Sequence, residues 1–118
     1  MNTQNIVTPR KIFKDPQYYY LYYDDRYISA LRALKTLQQS DSSPASTIGT
    51  QILLANLCAK KAILKCYMND EKSHDRMQQL WEQIEEVKQN IPYTYKGLKE
   101  YESLVKNIIM ECEKKPVV

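Results

Sequence analysis

A single histidine, His74, limits the chemistry that this 118-residue chain can offer. Glu71-x-x-His74 has the spacing with which helical bundles hold di-metal centres, but such centres take a second Glu-x-x-His and two further inward glutamates. With no second histidine, neither that centre nor a three-histidine zinc site can be built. Cys58, Cys66 and Cys112 have no CxxC spacing that could complete a Cys/His set. No metal and no cofactor is expected. Acyl transfer needs a nucleophile beside a base, and Cys58 with His74 is the one pairing left open, without a local motif behind it. The carboxylate pairs Glu82/Glu86 and Asp24/Asp25 have neither a histidine nor an apolar enclosure argued beside them, and read as solvated helix faces. His74 itself reads as a helix-start residue. The chain is expected to lack enzymatic activity.

Tyrosine is the most informative residue type. Ten tyrosines stand against one phenylalanine, and six of them lie between Tyr18 and Tyr27. At 100° per residue, Tyr18 and Tyr22 fall almost opposite an apolar stripe, with Arg26 next along the same ridge. Exposed tyrosine and arginine are the types enriched at protein–protein hot spots, which makes Tyr18, Tyr22 and Arg26 candidates for binding another protein. The same rings could stack on bases. The net charge of +3 comes from Arg10, Lys11 and Lys14, which precede the first acid, and the rest of the chain is balanced. These three are the candidate contacts of an alternative, nucleic-acid-binding reading. Lys60, Lys61 and Lys65 form a second basic group in an acid-free stretch, expected as a solvated face. The arginine-then-histidine spacing of one class of helical ribonuclease would place the arginine at position 67, 68 or 69, where Tyr67, Met68 and Asn69 stand.

Composition narrows the class. With 43% hydrophobic and 26% charged residues the chain is not disordered, and two glycines leave no phosphate-cradling loop. No apolar run approaches the ~18 residues that would cross a bilayer. Three cysteines without a framework spacing read as reduced thiols, so an intracellular, cytoplasmic setting is expected.

The elements that must hold these residues are helices. Residues 1–14 lack a helical period and are expected as a basic, unstructured N-terminal arm. Asp15-Pro16 is a helix start, with the Asp side chain as cap. The first helix should run to about Gln39 with Tyr20, Tyr23, Tyr27, Ala30, Leu31, Leu34 and Leu37 facing the core. Within it, Tyr27-x-x-Ala30-x-x-x-Leu34-x-x-Leu37 is similar to the second helix of a tetratricopeptide unit. The similarity covers that one helix, and the turn glycines of the repeat are absent. Ser43-Pro44 starts a second helix with two apolar sectors. Ile48, Ile52, Ala55, Ala59, Ala62, Ile63 and Cys66 form one. The other, Leu53, Leu57 and Leu64 with Tyr67 and Met68, is broken by Lys60. If this chain leaves that sector uncovered, Leu53, Leu57 and Leu64 are a docking surface for a partner or a second copy. A third helix, striped by Met77, Leu80, Trp81, Ile84, Val87 and Ile91, is ended by Pro92. A fourth, capped by Thr94, carries Leu98, Tyr101, Leu104, Val105, Ile108, Ile109 and Cys112 to about Glu113. The expected fold is all-α, an antiparallel four-helix bundle or two stacked helical hairpins over residues 15–113, with a frayed tail at 114–118.

Overall fold

In the computed structural model, which describes residues 8–40 and 43–114, proline-led starts set the first three helices. Thr8 Oγ1 accepts from the Lys11 N–H at 3.4 Å and Pro9 takes the first position of α1, Pro9–Lys14. Asp15 both closes α1 and opens α2, Pro16–Gln38. Its carboxylate makes no cap bond, contrary to the expectation. A backbone at ψ 63° lies outside the extended region from which an N-cap side chain reaches the first turn. Ser43 does cap α3, Pro44–Asn69, by accepting from the Ser46 N–H at 3.3 Å. A short 3-10 turn, Glu71–Ser73, leads into α4, His74–Asn90. Pro92 ends α4 with Ile91 held extended at ψ 137°. Thr94 then caps α5, Tyr95–Glu113, accepting from the Gly97 N–H at 3.0 Å. The protein is all-helical, with no strand among the described residues. No helix among them is long and apolar enough to cross a membrane.

The hub is α3. Helices α2, α4 and α5 all pack on it, α2 and α5 most extensively, which is why α3 is apolar around most of its circumference. Its Ile52, Leu57, Ala59, Ile63 and Leu64 are buried against Met77, Leu80, Trp81 and Ile84 of α4 and Leu98, Tyr101, Val105 and Ile108 of α5. At 26 residues α3 is longer than the 17-residue α4. With 1.5 Å of rise per residue its N-terminal end outruns α4 by roughly 14 Å. The end of α2 accompanies it, and together they form the tip of a helical hairpin. From Leu31 to Gln51 no described residue is fully buried.

Three further expectations change. The arm is not unstructured over residues 9–14: α1 presents Ile12, 1% exposed, and Phe13, 5% exposed, to the core. Six residues are too short to show a helical period, but an adjacent apolar pair after Thr8-Pro9 suffices to dock one turn and a half. Residues 1–7 of the expected arm, and 115–118 of the expected tail, lie outside the described residues. On α2, Tyr19 rather than Tyr20 joins Tyr23 and Ala30 in the core, and Leu31 is exposed. The stripe turns toward α4, where Tyr23 meets the Trp81 ring at 5.6 Å between centroids. The second apolar sector of α3 is no open surface, since Leu57 is 1% exposed and Leu64 0%. Helices packed around α3 cover it at both positions.

Candidate functional site

Tyr18, Tyr22 and Arg26 stand one turn apart on the solvent side of α2. Tyr18, 56% exposed, lies edge-on to buried Tyr19 at 5.0 Å, and Tyr22, 41% exposed, lies edge-on to buried Tyr23 at 5.1 Å. The Arg26 guanidinium sits 5.7 Å over the Tyr22 ring, a cation–π contact that steadies both side chains. Beside this pair opens a cavity of about 480 Å³ lined by Tyr22, Asp25, Arg26, Ser29, Ala30 and Leu53. The fold therefore brings Tyr22, Arg26 and Leu53 together, although the sequence offered them as two separate surfaces. Tyr18 flanks the cavity one turn earlier without lining it, and Leu57 and Leu64 are interior. Leu53 also lines a neighbouring cavity of about 560 Å³ with Leu37, Gly49 and Tyr93 of the hairpin tip and the adjoining loop.

Under the ridge lies a polar network that sequence reasoning missed. Lys60, 9% exposed, places its ammonium 5.0 Å over the Tyr23 ring and 5.3 Å over Trp81, and pairs with Glu85 at 3.0 Å. Asn56 donates to the same carboxylate oxygen at 2.9 Å and to Tyr101 Oη at 3.0 Å, and the Tyr101 hydroxyl donates to the Ile84 carbonyl at 3.0 Å. Burial pulls Lys60 below the ordinary lysine value, and the Glu85 charge offsets part of that fall. Burial would raise Glu85, but the Lys60 charge and the Asn56 amide outweigh it and hold the carboxyl below its usual range. Burial pushes the Tyr101 hydroxyl up to about 12, and that of Tyr23 higher still. Two signals in the sequence pointed here: a lysine interrupting an apolar sector, and Glu85 one turn after Trp81 at the edge of the α4 stripe.

The other candidates scatter. The basic group Lys60, Lys61 and Lys65 is no solvated face, because Lys60 is buried and Lys61 pairs with Asp24 at 2.7 Å while lying 4.7 Å over the Tyr27 ring. Asp24 is thereby an ion-pair partner rather than half of a solvated acid pair. Glu82 and Glu86 are exposed, as expected. Arg10, Lys11 and Lys14 are exposed on α1, and among the described residues no carboxylate pairs with them. His74 opens α4 with its ring 5.3 Å from Phe13 and 5.4 Å from Tyr67, and Nδ1 3.5 Å from the Asp75 carboxylate. Cys58 is a half-buried free thiol. Cys112 donates to the Met77 sulfur at 3.9 Å, and burial pushes its thiol up to about 12. No group of three histidines, cysteines or carboxylates placed to hold a metal occurs among the described residues.

No family model, no curated protein and no solved structure matches the chain, so its geometry alone carries the functional argument.

Proposed function

We propose that this chain is a non-enzymatic helical interaction module, acting as an adaptor, assembly subunit or small inhibitor, with the expected four-helix bundle as its scaffold. It binds another protein through the Tyr18–Tyr22–Arg26 ridge and Leu53, in a reducing, cytoplasmic setting suited to its free thiols. The observation that carries this reading is the Arg26-on-Tyr22 stack at the mouth of a cavity floored by Ala30 and Leu53. An aromatic ring, a guanidinium and an aliphatic side chain around one recess are the residue types that dominate interface energetics. The ridge is also firmly backed. Tyr22 rests on Tyr23, and Tyr23 on Lys60 and Trp81, so little side-chain entropy remains to be lost on docking. The polar atoms beneath are committed to one another, and no buried polar side-chain atom among the described residues lacks a partner. That arrangement holds the ridge from beneath.

The test compares proteins retained by the immobilised wild-type chain with those retained by Tyr22→Ala and Arg26→Ala, alongside helicity and melting. Each variant should weaken capture by roughly 30-fold, the ratio corresponding to a hot-spot loss of about 2 kcal/mol, with melting unchanged. Joint loss of binding and fold would make these residues part of the core and end the proposal. A second reading, nucleic-acid binding, rests on the exposed cations of α1, which packs against α2 just ahead of Tyr18. Light scattering at low and high salt, with and without RNA, separates the two. A salt-insensitive dimer makes a second copy the partner. A monomer that shifts only with RNA at low salt, and no longer does so after Arg10, Lys11 and Lys14 become alanine, replaces protein binding with the second reading.

A further inference from the structure

About 20 Å along α3 from Leu53, at 1.5 Å per residue, Cys66 of α3 and Cys112 of α5 line one recess, and Met77 of α4 touches Cys112. Cys112 Sγ lies 3.9 Å from Met77 Sδ. Met77 is buried behind them, while Cys66 and Cys112 are half-buried and line a recess of about 490 Å³ at the C-terminal ends of α3 and α5. Asp70 and Glu113 stand at its rim with Lys65 and Lys114, so the entrance is near neutral and open to a cation.

We propose that Cys66, Cys112 and Met77 form a binding site for a soft monovalent metal cation, with copper(I) as the biological member of that class. At metal–sulfur distances of about 2.3 Å, a three-coordinate site needs sulfurs roughly 4 Å apart, and the Cys112–Met77 separation already has that value. Donor chemistry selects the ion. Thiolate and thioether ligands favour copper(I), whereas structural zinc takes four nitrogen, oxygen or thiolate donors. Among the described residues no third histidine, cysteine or carboxylate stands with the two thiols to make such a set. On loading, each thiol gives its proton to solvent and its sulfur bonds the metal, while Met77 adds a neutral sulfur. No electron is transferred. The ordinary alternative is that all three sulfurs only fill space. Two of them line an open recess rather than the sealed core, and the third touches Cys112 from behind, which argues for the site. The inference is independent of the ridge, since neither site contains a residue of the other.

The experiment titrates the full chain anaerobically with copper(I), kept reduced by ascorbate, against a chromophoric copper(I) chelator. Wild type and Cys58→Ser should each withhold one equivalent. Cys66→Ser/Cys112→Ser should lose affinity by more than the roughly 10–100-fold that removal of an outer-shell partner costs. Met77→Leu, which keeps the core filled, should weaken binding while melting as wild type does. X-ray absorption of the loaded protein should show a shell of sulfur alone. Retention unchanged in the double variant, no retention by wild type, or a shell of nitrogen or oxygen would overturn the proposal. So would a Cys66–Cys112 disulfide that forms in air and is not prevented by the metal.

Discussion

The α2–α3 hairpin is one continuous pair of helices with two kinds of packing. Its lower part, joined by α1, α4 and α5, encloses Ile52, Leu57, Ile63, Leu64, Trp81 and Tyr101, each at most 1% exposed. Its tip, from Leu31 through Gln51, holds Leu31, Leu34, Leu37 and Ile48 without burying any of them fully. Both parts have apolar residues at helical spacing. What differs is the number of neighbours, because α4 is shorter than α3 and the tip is met from that side by Tyr93 and Lys88. The body is stabilised by close packing on several sides, and the tip by α2 leaning on α3 with Tyr93 of the following loop beside Gly49. Local opening should follow that division, with low protection from hydrogen exchange at 31–40 and 43–51 and high protection in the body. The proposed ridge lies on the boundary, with Tyr22 over the body and Leu53 at the foot of the tip.

The two glycines of the chain test the contrast most sharply, because each marks a close approach. In the body, a Cβ on Gly97 would lie 2.1 Å from the Pro92 carbonyl oxygen, a backbone atom held by the turn between α4 and α5. Gly97→Ala must displace the start of α5 or that turn, and with it the cap that Thr94 makes to the Gly97 N–H. The expected loss is about 3 kcal/mol, read from urea unfolding. A variant as stable as wild type would show that the body yields there as easily as the tip.

A smaller effect is expected at the polar centre of the body. Glu85→Gln leaves the Lys60 ammonium buried without its counter-ion. Because the Glu85 side chain is 40% exposed, water makes up part of the loss, and the expected cost at neutral pH is about 1–2 kcal/mol. The sign of the pH dependence follows from the lowered carboxyl. In the folded state Glu85 ionises below its ordinary value, so its contribution is complete above the unfolded pKa of about 4.3 and fades as pH falls through the folded one. The gap between wild type and Glu85→Gln in urea unfolding should therefore be widest near pH 7 and narrow on acidification below about pH 4. A gap constant down to pH 2 would mean that the pair contributes shape rather than charge.

How far the sequence revealed this arrangement depends on which kind of signal was needed. Helix positions were legible because Pro16, Ser43-Pro44, Pro92 and Thr94 act locally, and the stripes of α4 and α5 were legible because each has one apolar face. Periodicity could not say which neighbour would cover a face. Leu57 and Leu64 were offered as a surface for that reason, and Phe13, in a helix too short to have a period, was left outside the domain. The ridge residues could be named because exposure opposite a stripe follows from angle alone. The cavity joining Tyr22 and Arg26 to Leu53, the Lys60–Glu85 pair 25 residues apart in sequence, the recess shared by Cys66 and Cys112, and the contact of Cys112 with Met77 are tertiary facts. Of these, the Lys60–Glu85 pair alone was hinted at, by the lysine on an apolar sector and by Glu85 at the edge of the α4 stripe.

The smallest expected effect lies at the tip and has the opposite sign. Gly49 sits inside α3, where alanine is favoured over glycine by about 1 kcal/mol. A Cβ there would approach Tyr93 Cε2 at 3.0 Å and Cδ2 at 3.3 Å, so it too meets a close neighbour. This neighbour is the edge of a half-exposed ring on the loop after α4, with solvent on its other side. The ring can swing by the few tenths of an ångström required, and that adjustment consumes only part of the helical gain. Gly49→Ala should thus stabilise the chain by a few tenths of a kcal/mol and slow amide exchange at 43–51, leaving the body unchanged. Should it instead destabilise to the extent expected of Gly97→Ala, the tip must be packed as rigidly as the body, and the boundary on which the ridge was placed would not exist.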